Sequence, residues 1–345
     1  VRAGAGAAGV GIARLLRRAL EHEGLSPDAI DASIAVLASR GLVHAGRSDL
    51  DVFTRDIATS ATRAAELAAA AAGDDRARRL RGAAYRELIE AFVRGVEEVW
   101  PGCIIQWEDF KGPNALRILG HFRQHVPSFN DDVQGTAAVT VAGIYAAARK
   151  LERRVTDLRF VLAGAGAAGI GIARLLRRAL EHEGLTGEEI DSRLALLDSR
   201  GLVHSGRSDL DEFKQEVAIS AERVEQLGLT FSGDDHARLC EVIRALKPDV
   251  LIGTTGQPGS FDQSVIGEMA EVTEQPIVFA LSNPSSRVEA PPSDILAWSD
   301  GRAIVATGSP FAPVSWKGGP RPIAQANNVF IFPGVGLGAV MAEAR

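Results

Sequence analysis

Lysine and tyrosine are scarce in this sequence. Lysine occurs only at Lys111, Lys150, Lys214, Lys247 and Lys317, and tyrosine only at Tyr85 and Tyr145. Chemistry that needs a lysine amine or a tyrosine hydroxyl must draw on those positions. Cysteine is as scarce as tyrosine: Cys103 and Cys240 stand far apart and in no metal-type spacing. That excludes a disulfide framework and a Cys-ligated zinc site, and it predicts reduced core thiols in a cytosolic protein. No apolar run is long enough to span a bilayer, and Val1 to Leu25 carries Arg and Glu where a signal peptide needs an apolar centre. A basic stripe is missing too, and the net charge is −6. Nucleic acid and membrane surfaces are therefore poor candidates for partners. What is present, 46% hydrophobic and 24% charged residues over 345 positions, suits a soluble globular protein of two domains.

The chain opens inside a motif that it later repeats. Val1 to Asp75 reads as a gapless second copy of Val161 to Asp235, and Gly11 to Leu25 is identical to Gly171 to Leu185. Two copies of this length are not a solenoid; they are one segment duplicated. A chain that opens on Val1 inside a motif is also the expectation for a truncated reading frame.

Local patterns give the organisation. In the second copy, the apolar run Leu158 to Leu162 suits a buried strand. The glycines follow, and Ile172, Leu175, Leu176 and Leu180 then recur at helical spacing over Ile170 to Glu183. A second buried run, Leu194 to Leu197, ends in Asp198. Strand, glycine turn, helix and strand make a βαβ unit. Further strands are predicted at Val250 to Gly253, Pro276 to Leu281, Ala303 to Ala306 and Val329 to Phe332. Helices are predicted at Asp209 to Gln226, His236 to Ala245 and Asp262 to Thr273. The alternation implies an α/β fold, a Rossmann-type doubly wound parallel sheet. Between the copies, Ala83 to Val99 reads as an amphipathic helix, Cys103 to Gln106 as a strand, and Gly135 to Lys150 as a helix rich in Ala and Val. The alanine run Ala68 to Ala72 reads as a drifted linker or helix end.

The glycine turn is a candidate cofactor site. In GxGxxG after a strand, the first glycine makes the tight turn, the second admits a pyrophosphate, and the third lets helix and strand pack. In the second copy these are Gly164, Gly166 and Gly169, with Ala167 and Ala168 opening the helix. Helix N–H groups and dipole then face the phosphates. Asp198 stands where an acidic residue takes the ribose hydroxyls. A GxGxxG alone equally describes a Gly/Ala-rich helix start; strand, helix and Asp198 together favour the cofactor. The first copy has Ala38 in place of Asp198 and Arg2 in place of Leu162, with no room for a strand ahead of its glycines. A structural or unfolded remnant is expected there.

Two acidic pairs remain, Glu108-Asp109 after a strand and Asp131-Asp132 before a helix. The bland readings are a surface loop and a helix N-cap. The functional reading is a hard-cation site for Mg²⁺ or Mn²⁺. Spacing alone leaves both open.

Longer motifs carry a resemblance. Glu108-Asp109-Phe110 after an Ile-Gln-aromatic run, then Phe129-Asn130-Asp131-Asp132-Val133-Gln134-Gly135-Thr136-Ala137, resembles the malic enzyme family. So do Phe279-Ala280-Leu281-Ser282-Asn283-Pro284, Gly301-Arg302-Ala303-Ile304, Gly308-Ser309-Pro310-Phe311, Asn327-Asn328 and Phe332-Pro333-Gly334-Val335. The resemblance runs in continuous order from about Ala83 to Arg345.

It implies oxidative decarboxylation of L-malate to pyruvate and CO₂ with reduction of NAD⁺ or NADP⁺, NAD before NADP. It implies Mg²⁺ or Mn²⁺ held by Glu108, Asp109 and Asp132, with Asp131 supporting the general base. Asn283 and Asn328 would contact the malate carboxylate, and Gly164, Gly166, Ala167, Ala168, Gly169 and Asp198 would hold the dinucleotide. Members are usually oligomers, so a homo-oligomer is expected, and composition and charge make that a cytoplasmic protein with no nucleic-acid or membrane partner.

The family base is a Lys and its acid a Tyr, both ahead of the EDF motif with an Arg that grips substrate. Here no lysine precedes Glu108, and the only tyrosine there, Tyr85, sits on a helix with its own family counterpart. Arg117 follows the motif and is not that Arg. Ala326 stands where the family has Gly before its Asn pair, and Lys214 lies near where NADP-using members place a basic residue, an exposed helix Lys being the plain reading. The domains implied are 1–75, a partial duplicate; 76–156, the metal-binding segment and remnant of the family's N-terminal domain; 157–310, the Rossmann domain; and 311–345, a C-terminal return. The competing expectation is an inactive NAD- and metal-binding remnant lacking the Tyr/Lys pair.

Overall fold

The structure is a computed structural model that describes residues 81–229 and 235–344, with isolated positions before residue 81. The chain divides into two compact units, Val1–Pro101 and Gly102–Arg345. The glycines Gly4 to Gly9 and the run Ala68 to Ala72 lie outside the described residues. No described helix is long and apolar enough to cross a membrane.

In the first unit, β1 (Arg2–Ala3) runs parallel to β2 (Val36–Ala38), and β2 pairs antiparallel with β3 (Gly41–Leu42). A strand does precede the glycines of the first copy in sequence, contrary to expectation: two residues suffice for a parallel pair once β2 offers its edge. α1 (Gly82–Val99) completes the described part and buries only Val93.

The second unit begins with β4 (Ile105–Trp107), α2 (Gly112–Phe122) and β5 (Ser128–Asn130), where β4 and β5 form a small parallel pair. A π-helical turn at Asp131–Gly135 leads into α3 (Thr136–Lys150). Its cap is Asn130, whose side chain accepts from the Val133 N–H at 2.9 Å. That frees both aspartates from the capping role the sequence allowed them.

The remaining strands are β6 (Phe160–Ala163), β7 (Leu194–Asp198), β8 (Gly201–Leu202), β9 (Val250–Gly253), β10 (Ile277–Ala280), β11 (Ile304–Thr307), β12 (Val314–Trp316), β13 (Gly319–Arg321) and β14 (Ala324–Gln325). Seven of them form one sheet in the order β14-β11-β10-β9-β6-β7-β8, parallel except at β8, and β12 with β13 makes a separate hairpin. The chain goes out from β6 to β7 and returns to β9 on the other side, so the sheet reverses its winding between β6 and β9. Ala163 lies level with Leu197 and Gly253, and Gly253 with Ala280. Four strands thus end in a row at the switch point, where α/β sheets bind ligands.

Side chains alternate between two buried faces. Phe160, Leu162, Leu196, Ile252 and Phe279 join a cluster with Ile144 of α3 and Leu176 of α4 (Ala167–His182). Val161, Leu197, Leu251 and Val278 join another with Val242 and Ile266. A parallel sheet covered on both sides needs such fully apolar strands.

One helical expectation and one strand expectation are corrected. Asp209 to Gln226 is two short helices, Glu212–Gln215 and Ala221–Gln226, capped by Asp211 and Ser220. Between them Ile219 bridges His204 in a β-bridge, which competes with helix continuation. Val329 to Phe332 is no strand: Asn328–Phe330 is a 3₁₀ turn and Phe332–Met341 a helix. Cys240 is buried as expected, while Cys103 is only half-buried; both are free.

Candidate functional site

The glycine turn follows β6 without a spacer. Gly164 has φ +110°, and a Cβ there would lie 2.6 Å from the Thr254 carbonyl. Gly169, in the first turn of α4, would place a Cβ 1.8 Å from the Gly164 oxygen. Gly166 differs: its Cβ would meet nothing within 4 Å and would project into open space. Two of the glycines therefore serve packing, and one keeps a path to the backbone clear. Gly166 caps α4 without a side-chain bond, so Ala167 and Ala168 sit at an uncapped first turn with N–H groups available to an anion.

Of these residues Gly164 and Gly166 line a cavity of about 580 Å³, together with Leu197, Asp198, Lys214, Thr254, Thr255 and the loop Gln257 to Ser260. Asp198 lies at the tip of β7, its side chain 7% exposed. Arg207 donates to both its oxygens at 2.9 and 3.1 Å, and Lys214 Nζ to Oδ2 at 2.5 Å. The Arg200 N–H adds a bond of 2.9 Å. Burial alone would raise this carboxyl; the bonds from Arg207 and Lys214 outweigh it and hold the group below its ordinary value. Lys214 is thus a cavity-lining partner of Asp198, not the exposed helix Lys of the plain sequence reading. Arg207 was missed altogether; its position in a loop gave no signal.

A stability consequence follows. The depressed Asp198 carboxyl stabilises the fold above the ordinary Asp value and loses that contribution as pH falls through its folded value. Arg207→Ala should raise the folded pKa of Asp198, cost about 1 kcal/mol at neutral pH because Lys214 and the Arg200 N–H remain, and move acid unfolding to higher pH. Circular dichroism against pH reads the midpoint; an unmoved midpoint would contradict the role of Arg207.

The acidic residues form a second centre. Asp131 is buried, and Asn328 Nδ2 donates to its Oδ2 at 2.7 Å. Its Oδ1 is buried without a hydrogen-bond partner. Gly135 makes room for it, since a Cβ there would lie 2.1 Å from Oδ1. Burial first, then the charges of Glu108 and Asp132, push Asp131 up to about 7. Burial also raises Asp132, partly offset because its Oδ2 accepts the Asp109 N–H at 2.7 Å. Asp109 itself has φ +60°, a left-handed conformation that Asp tolerates better than most residues. Glu108 accepts from Gln106 Nε2 at 2.8 Å.

Four carboxylates within electrostatic reach of one another, with one oxygen left without a donor, are what a hard cation relieves. The donors fit such an ion in kind. Among the described residues, however, no three acidic, His or Cys side chains converge on a common point; Asp132 is turned onto the Asp109 backbone and Glu108 onto Gln106.

The two asparagines approach through Gly308. Asn283 Oδ1 accepts from Ser309 Oγ at 2.6 Å, and a Cβ on Gly308 would lie 2.9 Å from that same oxygen. Asn327 Nδ2 donates to the Gly308 carbonyl at 3.0 Å, which places Asn328 against Asp131. Ala326, in place of glycine, is accommodated in buried backbone that donates to Thr307. Arg117 lies outside this centre in an exposed pair with Glu212. No lysine or tyrosine is bonded to Asp131 among the described residues; Tyr145 instead donates to Glu183.

Family comparison meets this geometry along most of the chain. Residues 1–78 and 133–345 match the family model described as "Malic enzyme, NAD binding domain", and residues 56–123 match "Malic enzyme, N-terminal domain". The chain belongs to the malic enzyme family. The NAD-dependent malic enzyme of Erwinia tasmaniensis is 42% identical over 266 residues, which are 77% of this chain and 46% of that protein. That of Aliivibrio fischeri is 43% identical over 77% of this chain and 47% of its own length. The chain thus spans about half the length of the curated relatives it matches. Among solved structures, the malic enzyme of Entamoeba histolytica superposes with a TM-score of 0.57 at 28% identity, over 74% of this chain and 46% of that one. The NAD-dependent malic enzyme of Thermotoga maritima gives 0.55 at 28% identity, over 75% and 59%.

Proposed function

We propose that this chain is the dinucleotide- and metal-binding part of a malic enzyme and serves the oxidative decarboxylation of L-malate to pyruvate and CO₂. The observation that carries the reading is the cavity at the switch point, where Gly164, Gly166 and Asp198 meet. NAD⁺ is the preferred cofactor, supported by the NAD-dependent relatives and by an acidic residue at the end of β7. Held there, the nicotinamide would supply the hydride acceptor for malate C2. Lys214 beside Asp198 is the residue through which NADP⁺ would compete.

Glu108, Asp109 and Asp132 would hold Mg²⁺ or Mn²⁺, which supplies Lewis-acid polarisation and stabilises developing negative charge. The chain's own groups orient the substrate. Asp131 fixes the Asn328 amide, and Ser309 fixes that of Asn283, so both amides present set directions to a carboxylate. We assign 1–75 as a duplicate, 76–156 as the metal-binding segment, 157–310 as the Rossmann domain and 311–345 as the return segment.

A second reading has its own support: the absence of a Lys or Tyr bonded to Asp131 among the described residues. On that reading the chain binds dinucleotide and cation without turnover. Absorbance of reduced cofactor with malate and Mn²⁺ separates the two. Turnover supports the first, and a rise in melting temperature with NAD⁺ but no turnover supports the second. Under either, Asp132→Ala should weaken Mn²⁺ binding at least about tenfold in calorimetry and leave NAD⁺ binding intact; unchanged Mn²⁺ affinity would remove the metal assignment.

A further inference from the structure

Glu289 is fully buried and lies outside every motif discussed so far. Among the described residues no Lys, Arg or His forms an ion pair with it; its carboxyl is held by neutral groups of two loops. From the loop after β9, the Thr255 N–H and hydroxyl donate to Oε1 at 2.8 and 3.0 Å. From the loop after β10, Ser282 Oγ donates to the same oxygen at 2.5 Å, and the Ser282 N–H to Oε2 at 3.3 Å. Ser282 Oγ also accepts the Gly256 N–H at 2.8 Å, closing the loops onto each other. The Glu289 carbonyl takes the Gly259 and Phe261 N–H groups. Space is reserved for this carboxyl: a Cβ on Gly253, the last residue of β9, would lie 2.6 Å from it.

The two loops matter because of what they carry. Thr255, Gln257, Pro258, Gly259 and Ser260 line the cavity and follow β9, which lies on the other side of β6 from β7 and Asp198. Ser282 immediately precedes Asn283. A buried carboxyl is costly unless its bonds are made, and here all of them go to these two loops. We propose that Glu289 is a positioning residue that latches the loop after β9 to the loop after β10, fixing the cavity wall on the nicotinamide side and the backbone that presents Asn283. This rests on the reading of the cavity as a dinucleotide site. Glu289 itself touches no ligand; it acts through Thr255 and Ser282.

The test compares NAD⁺ with ADP by calorimetry on the full chain. ADP spans the Asp198 side and the glycine turn but lacks the nicotinamide half. Glu289→Ala should weaken NAD⁺ at least tenfold while ADP changes less than twofold. Glu289→Gln, whose amide oxygen can still accept from Thr255 and Ser282, should restore NAD⁺ to within threefold of the parent. Ser282→Ala cuts the latch from the other loop and should reproduce the NAD⁺-selective loss even if Glu289→Ala fails to fold. Equal losses for NAD⁺ and ADP, or no NAD⁺ loss in Ser282→Ala, would overturn the latch. If the parent chain bound neither ligand, the dinucleotide reading itself would fail, and the latch with it.

Discussion

Gly169→Ala is expected to lower the stability of the second unit by on the order of 3 kcal/mol, whereas Gly166→Ala in the same turn leaves stability nearly unchanged and weakens NAD⁺ binding. The difference lies in what each methyl meets. At Gly169 it would lie 1.8 Å from the Gly164 oxygen and 3.0 Å from Thr254 Oγ1. The Gly164 carbonyl cannot retreat freely, because it accepts from Thr254 Oγ1 at 2.9 Å while the Gly164 N–H is tied to Leu197. Overpacking against backbone costs about 1–3 kcal/mol or more, and the gain of about 1 kcal/mol from alanine's helix propensity offsets only part. At Gly166 a methyl meets nothing within 4 Å. It would stand in the space through which a pyrophosphate approaches the first turn of α4, and blocking that approach should lower affinity at least about tenfold. Thermal melts and NAD⁺ calorimetry on both variants read the contrast. A Gly169→Ala protein melting with the parent would refute the packing role, and a Gly166→Ala protein binding NAD⁺ normally would refute the phosphate path.

The same three glycines show how far the sequence could be read. Strand, turn and helix around Gly164 were legible because each step has a local signal: a buried apolar run, a spacing of glycines, a 3.6-residue period. β7 and β9 fell where apolar runs placed them. Val329 to Phe332 went wrong for the opposite reason. A short apolar run is the same string in a strand and in a helix, and nothing local showed that Asn327 caps a 3₁₀ turn there. Arg2–Ala3 was misjudged because pairing with Val36 and Leu37 is non-local.

The site was legible in kind and not in connection. Asp131 and Asn328 stand 197 positions apart and share a hydrogen bond that no spacing rule could reach. Lys214 read as an ordinary helix lysine until the fold brought it to Asp198. Glu289 and Arg207 had no motif to announce them. Their roles exist only once separate loops meet at the end of the sheet, and their side chains act on neighbours rather than on a ligand.

Asp131→Asn is expected to stabilise the metal-free protein, by an amount that grows with pH. The Asp131 carboxyl is pushed up to about 7 by burial and by the charges of Glu108 and Asp132. A carboxyl whose folded value exceeds its unfolded value binds more protons in the native state than in the unfolded one. Native stability therefore declines as pH rises from about 4 to about 7, then levels. Asparagine has the same shape, can keep the bond with Asn328 and carries no charge, so it removes the decline. The unscreened shift corresponds to about 4 kcal/mol; solvent screening cuts this to roughly 2 kcal/mol. Denaturant melts at pH 4 and pH 8, without divalent ions, should show parent and variant nearly equal at the lower pH and the variant more stable at the higher. Equal stability at pH 8 would mean that the carboxylate cluster exerts no strain on the fold. The same charge crowding that makes Asp131 a burden without a cation favours the entry of one, so the variant should lose part of the stabilisation that Mn²⁺ gives the parent at pH 8. The burden on the fold and the readiness to bind a cation are one electrostatic property, measured in two ways.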